Sequence, residues 1–258
     1  MNTKIKITKK INPKKTILLV GLPGIGLVGK IAIDYLIKQT KATKVGEIYS
    51  DSFPPSIQTR NSIIKMINDD IYYLKTEENE FLFIAGPVQP TLDFKVGSSQ
   101  EHYEFAETII EKLKEYNIEE IYTLAGINIG DERIEKKPEI IVAGTNKKII
   151  EETTKYGAKQ DKKEGLISGV AGLLIGIGKM NGIEGACLMG ETNSRLVYGD
   201  HGAAKKVLDL IIKKFNLKID MKGIDKETKN IEKAFQELSK KIQETQEKQE
   251  EGKPTYVR

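Results

Sequence analysis

Gly21-Leu22-Pro23-Gly24-Ile25-Gly26-Leu27-Val28-Gly29-Lys30 is the stretch on which the fold of this chain turns. It follows the apolar, β-rich run Ile17-Leu18-Leu19-Val20. It leads into a helical pattern with Leu27, Val28, Ile31, Ala32, Tyr35 and Leu36 on one side. Strand, glycine turn and helix in that order begin an open α/β sheet. Gly24, Gly26 and Gly29 satisfy G-x-G-x-x-G at the place where a dinucleotide fold carries it. From Gly24 to Lys30 the same residues give G-x-x-x-x-G-K, most of a phosphate-cradling loop, but Ile31 stands where Ser or Thr would hold magnesium. A dinucleotide site also needs an acid about twenty residues further on to hold a ribose hydroxyl, and Glu47 is loosely placed for it. The same glycines serve equally where a strand and a helix must pack closely. On this loop alone the packing role is favoured over nucleotide binding.

The second informative stretch is Gly165-Leu166-Ile167-Ser168-Gly169-Val170-Ala171-Gly172-Leu173-Leu174-Ile175-Gly176-Ile177-Gly178. Its glycines, with Gly169, Gly172 and Gly176 at their centre, predict a helix whose small-residue face admits a second backbone. So few polar residues require burial, in the domain or in a subunit interface.

Between and around these stretches the periodicity is that of alternating strands and helices. Ile5 and Ile7 among lysines predict a charged edge strand. Val45 to Tyr49 is a strand, and Ser62–Ile67 with Ile71–Leu74 around Asn68-Asp69-Asp70 predicts a β-hairpin. Phe81–Ala85 and Ile121–Ala125 are buried strands, the second ending at Gly126. Ser98-Ser99-Gln100-Glu101 has capping-box spacing and starts a helix with Phe105, Ala106, Ile109, Ile110 and Leu113 inward. Gly126 to Pro138 is polar and irregular, with Asp131, Glu132 and Arg133 at its centre. Ile140–Ala143 resumes the sheet, and Asn146–Lys155 is a helix closed near Gly157. Ile183–Met189 is the next strand, and Asp200 caps the last domain helix, Ala203–Phe215.

The two glycine stretches together bring a resemblance. Residues 21–29 with Ile31-Ala32-Ile33-Asp34-Tyr35-Leu36, and Gly165-Leu166-Ile167-Ser168-Gly169 through Gly190-Glu191-Thr192, resemble the archaeal proteasome-assembly-chaperone-like family. The likeness runs over roughly residues 14–215. It implies a non-enzymatic α/β domain, a three-layer open sheet similar in topology to nucleoside phosphorylases. It also implies a cytoplasmic homo-oligomer that helps assemble proteasome core subunits, binding proteasome α subunits or another assembly protein.

Past Phe215 the composition shifts, and 225–251 is dense in Lys, Glu and Gln. Ile224, Thr228, Ile231, Phe235, Leu238, Ile242, Thr245 and Gln249 step by alternating four and three, a heptad seam. Either one amphipathic helix docks on its own domain, or Ile231, Phe235, Leu238 and Ile242 form an inter-subunit coiled coil; the second is preferred. The expected division is an α/β domain over 1–220, a coiled-coil helix over 221–251 and a flexible tail over 252–258. Pro254 stops that helix. In the resembling family a terminal hydrophobic-Tyr-any tripeptide inserts between proteasome α subunits. Here Tyr256 stands third from the end rather than penultimate, so Tyr256, Val257 and Arg258 are either a displaced docking set or a loose end with an incidental Tyr.

Other chemistries are poorly represented. The net charge is +4 in 258 residues, so nothing demands nucleic acid or an anionic membrane. A single cysteine, Cys187, rules out an internal disulfide framework and reads as a buried small hydrophobe. No signal-peptide core or membrane span is expected. His102 and His201 are the only histidines, without metal-ligand spacing, and no cofactor is implied. His102 reads as exposed. A triad of Ser168, His201 and Glu191 lacks the G-x-S-x-G elbow. Asp131, Glu132 and Glu191 read as solvated loop acids. The alternative to an assembly chaperone is a nucleotide- or nucleoside-binding enzyme using the Gly24–Lys30 turn.

Overall fold

A computed structural model describes residues 3–90, 99–161, 164–196, 198–233 and 235. In chain order the elements are β1 (Lys4–Ile7), β2 (Thr16–Gly21), α1 (Val28–Thr40), β3 (Thr43–Tyr49), β4 (Ile57–Arg60), β5 (Ile63–Met66), β6 (Asp69–Lys75) and β7 (Glu80–Ala85). Then follow α2 (Ser99–Leu113), β8 (Ile118–Asn128), α3 (Glu132–Glu135), β9 (Ile140–Gly144), α4 (Lys147–Lys155), β10 (Ala158–Gln160), α5 (Val170–Met180), β11 (Glu184–Thr192) and α6 (His201–Lys214). Residues 222–233 form a further helix, α7.

Nine strands make one mixed sheet in the order β1-β3-β6-β7-β2-β8-β11-β9-β10. At its centre β7, β2, β8 and β11 run parallel, while β6 runs against β3 and β7, and β9 runs against β11 but along β10. Because side chains alternate across a strand, the continuous apolar runs of β2 and β7 must be covered on both faces. Leu19, Phe81, Phe83, Tyr122 and Leu124 face a core shared with α1, α4 and α6. Leu18, Val20, Leu82, Ile84 and Ile121 face a second core with α2 and α5. The result is a three-layer α/β/α fold, with β1 as the charged edge strand that the lysines predict.

The expected hairpin around Asn68-Asp69-Asp70 is replaced by another. Asn61 and Ser62 both take left-handed φ values, 51° and 62°. Two such residues make the two-residue turn that matches strand twist, so β5 folds back on β4. Asp69 and Asp70 are not turn residues; they pair with Ile48 and Glu47 of β3. The strand expected to stop at Gly126 continues to Asn128 because β11 pairs with it along that whole length. His102, expected at the surface, is only 4% exposed. It shares the inward arc of α2 with Phe105, Ala106 and Ile109, at helical spacing.

The described part of the C-terminal helix lies on its own domain. Ile224 and Phe235 are 1% and 5% exposed, Ile231 is half-buried, and the Thr228 hydroxyl donates to the His201 carbonyl at 3.2 Å. Phe235, read from the heptad as a seam residue between subunits, therefore packs at home. Leu238 and Ile242 lie outside the described residues, as do Ser98 of the expected capping box and Tyr256, Val257 and Arg258 of the tail.

Candidate functional site

The loops that leave the parallel strands gather at one edge of the sheet, where open α/β folds keep their sites. The glycine turn is the first. Gly26 and Leu27 both adopt left-handed backbone, at φ 59° and 50°, before α1 begins at Val28. Gly26 is needed there twice over, since a Cβ would also collide with Thr192 at the end of β11. A Cβ on Gly29 would collide with the Leu124 carbonyl of β8, so α1 rests directly on that strand. The Lys30 ammonium is held by Asp34 one turn on, at 2.6 Å. These glycines bring chain elements together. Gly24 alone faces open space.

That space is a cavity of about 420 Å³ lined by Leu22, Pro23, Ile25, Leu124, Ile141 and Met189 among others. Gly165, Leu166, Ile167 and Ser168 of the second glycine stretch also border it. Its polar lining comes from Gln89, Asn128, Asp161 and Ser168, with no Lys, Arg or His among the described residues. Among the described residues such a lining offers apolar surface and uncharged amide and hydroxyl groups, without a cation for a phosphate. In the second stretch Gly169 takes φ 80° and opens α5, while Gly172 backs onto the Ile167 carbonyl. Gly176 is exposed with nothing near it.

Beside the turn lies a buried polar hub. Arg133, 2% exposed, makes a two-pronged ion pair with the fully buried Asp200, Nε to Oδ2 at 2.7 Å and Nη2 to Oδ1 at 2.9 Å. Asp200 caps α6 by accepting from the Ala203 amide at 2.9 Å, and accepts from the Thr192 hydroxyl at 3.1 Å. Its own amide donates to the Gly26 carbonyl at 2.8 Å. The guanidinium also donates to the Lys136 carbonyl and stacks on the Phe235 ring, 5.0 Å from its centre. Glycine turn, β11, the loop after β8 and the C-terminal helix thus meet on two side chains. Paired, fully satisfied geometry is what makes a buried charge tolerable.

The model of the PAC2 family matches residues 18–239. This chain belongs to the PAC2 family. An uncharacterized protein of Methanocaldococcus jannaschii is 32% identical over 220 residues, 84% of this chain and 81% of that protein. Among solved structures, Pyrococcus furiosus PbaB, described as an archaeal proteasome activator, is 31% identical with a TM-score of 0.83, and the match covers 92% of this chain and 99% of that one. Pyrococcus furiosus PbaA, described as an archaeal homolog of proteasome-assembly chaperone, shares the fold at 24% identity and a TM-score of 0.73, with 97% of each chain covered.

Set in this PAC2 fold, the candidate catalytic groups are dispersed or engaged. Glu47 lies on β3, separated from β2 by β6 and β7, and is bound to Lys44 at 2.7 Å. The Lys44 ammonium and the Tyr49 hydroxyl hold its carboxyl down at about 2. Glu191 is buried rather than solvated, and accepts from the Glu139 amide. No hydrogen bond joins Ser168, His201 and Glu191 among the described residues. Cys187 is 1% exposed, and burial pushes its thiol up to about 11, so it is inert as read. No group of three His, Cys, Asp or Glu with metal-binding geometry occurs among the described residues. None of their helices is long and apolar enough to cross a membrane.

Sequence reading missed Arg133, which it left in an irregular loop. Its partner lies 67 residues away, and no local pattern announces the pair. It also passed over Asp69, fully buried at the start of β6 against Gly86, where a Cβ would collide with the carboxylate. Burial pushes that carboxyl well above the usual range, and the Val88 amide and the Lys30 charge offset only part of this. Neither oxygen makes a well-formed hydrogen bond.

Proposed function

We propose that this PAC2 family protein is a non-enzymatic, homo-oligomeric proteasome assembly chaperone-like protein that binds proteasome α subunits or another assembly protein. The observation that carries the reading is the match to PbaB, which extends over 92% of this chain at 31% identity. The buried hub supports it in another way. By tying Phe235 to Arg133 it holds the described end of the C-terminal helix on the domain. In this reading the helix beyond Phe235 forms the seam between copies, and the tail meets the proteasome.

The alternative of a nucleotide-binding enzyme finds little support in the cavity, whose lining among the described residues has no cation and includes the carboxylate of Asp161. A second protein-binding reading has a specific observation in its favour. PbaB is described as an activator, so this chain would act on finished proteasomes rather than on their assembly.

Pull-down of proteasome α subunits from archaeal extract tests the reading, using the full chain and a version ending at Thr255. Capture by the full chain alone is the expected result and assigns docking to the tail. Capture by neither overturns the proteasome reading. Faster peptide hydrolysis by mature proteasomes, with unchanged assembly of α subunits, would favour the activator.

A further inference from the structure

The proteasome reading leaves the cavity beside the glycine turn without a use. It lies between the ends of β2 and β8, with Leu22 and Pro23 from the first and Leu124 to Asn128 from the second. Beyond β2 the chain goes on to β3, on one side of the sheet; beyond β8 it goes on to β9 and β11, on the other. Neighbouring parallel strands whose connections part in this way open a crevice, and open α/β sheets bind their ligands there. The cavity volume of about 420 Å³ lies within the roughly 300–1,000 Å³ of small-molecule sites.

Two glycines show that this space is kept clear. A glycine is required where the backbone is left-handed or where a Cβ would collide. Among the described residues, Gly24, Gly165 and Gly176 alone meet neither condition: none is left-handed, and a Cβ on any of them would find no atom within 4 Å. Gly176 is exposed on α5, but Gly24 and Gly165 both border the cavity, one from each glycine stretch. Gly24 is extended, at φ −159° and ψ −162°, a conformation open to other residues. Side chains at these two positions would not disturb the fold; they would occupy the cavity. Their absence keeps room at the backbone for a ligand.

The polar groups around that room are amides and a hydroxyl. The Asn128 side-chain oxygen accepts from the Ser194 amide at 2.9 Å and from the Gly130 amide at 3.2 Å. Those bonds fix the carboxamide and leave its NH2 group as the end free to donate. Gln89 is half-buried and has no hydrogen-bond partner among the described residues, so it offers an acceptor and a donor together. The Ser168 hydroxyl can act as either. Apolar walls come from Leu22, Ile25, Leu124, Ile141 and Met189.

We infer that the cavity binds a small, uncharged heterocycle that carries a carbonyl or ring-nitrogen acceptor beside an N–H donor on one edge. Carboxamide side chains read such an edge through paired hydrogen bonds, as they do on a nucleobase. Apolar side chains hold the flat faces of the ring. A carboxylate or phosphate on the ligand would meet the Asp161 carboxylate and no cation among the described residues, so the neutral form is the one that fits. Nucleobases, nucleosides and nicotinamide share this chemistry.

The test is calorimetric titration of the full chain with nicotinamide, uracil and adenosine, each beside a charged counterpart: nicotinate, orotate and adenosine monophosphate. At least one neutral compound is expected to bind with a Kd of about 1 mM or tighter, and its counterpart at least about tenfold more weakly. Gly24→Val is expected to abolish that binding while the melting temperature of the free protein stays unchanged, because the added side chain enters the cavity alone. Gln89→Met keeps the length of the side chain and removes the amide, and should weaken binding about tenfold. Three results each overturn the inference: no binding by any of the neutral compounds, equal or tighter binding by the charged counterpart, or binding indifferent to G24V. Ligand titration and proteasome capture are separate measurements, so either reading can fail without the other.

Discussion

Asp200 and Asp69 are both fully buried beside the same edge of the sheet, and they are opposites. Asp200 receives both prongs of Arg133, the Thr192 hydroxyl and the Ala203 amide. Asp69 has no well-formed hydrogen bond to either oxygen. The first acid joins four segments of chain. The second sits in a slot kept open by Gly86 and bears the desolvation without a matching partner. Burial alone therefore says nothing about whether an acid stabilises the fold. What decides is whether donors from distant segments arrive with it.

Breaking the satisfied member should have the largest effect. Arg133→Ala leaves a buried carboxylate without its cation and removes the stack on Phe235. A loss of about 3–5 kcal/mol in urea unfolding is expected. Arg133→Met combined with Asp200→Asn should recover much of that loss, because the stranded charge outweighs the missing contact. If R133A costs less than about 1 kcal/mol, the hub is not what fastens the C-terminal helix.

Asp69→Asn sharpens the contrast from the other side. Its folded carboxyl titrates above the ordinary 3.8, so folding is penalised once pH rises past that value, and the penalty grows until the folded group ionises. The amide removes this penalty while keeping the shape. Stabilisation by about 1–2 kcal/mol at pH 8, fading toward pH 4, is expected in thermal melts. A neutral or destabilising result at pH 8 would mean that Asp69 is satisfied after all.

The two acids also mark how far sequence reading reaches. Asp200 was legible as a helix cap, because a cap and its amide are three residues apart. The strand–turn–helix at Gly21–Lys30 and the inward face of α2 were legible for the same reason: their patterns are local. Arg133 was not, since its role exists only once the loop after β8 and the turn before α6 are side by side. The glycine turn resembles a nucleotide loop in one dimension; the Leu124 carbonyl under Gly29 and Thr192 beside Gly26 give it another purpose in three. The β4–β5 hairpin had a readable signal, Asn61-Ser62 between alternating residues. It was masked by Asn68-Asp69-Asp70, which looks more like a turn, although Asp69 and Asp70 are strand.

Glu47 lies between the two extremes and supplies the smallest effect. It is well satisfied, by Lys44 at 2.7 Å and the Tyr49 hydroxyl at 2.8 Å, but the lysine that holds it remains a third exposed. Its folded carboxyl sits at about 2 against an ordinary 4.5, so the stabilisation is complete above pH 4.5 and is lost as pH falls toward 2. Water screens a partner of this kind, and Glu47→Gln should cost under about 1 kcal/mol at pH 7. It should also flatten the acid limb of a plot of melting temperature against pH. Glu80 lies under the same limb, held at about 2 by the Tyr73 hydroxyl and Lys75, so the single variant removes only part of the slope and E47Q/E80Q removes more. If neither variant changes the slope between pH 4.5 and 2, the contacts of Glu47 and Glu80 do not set the acid sensitivity of the fold.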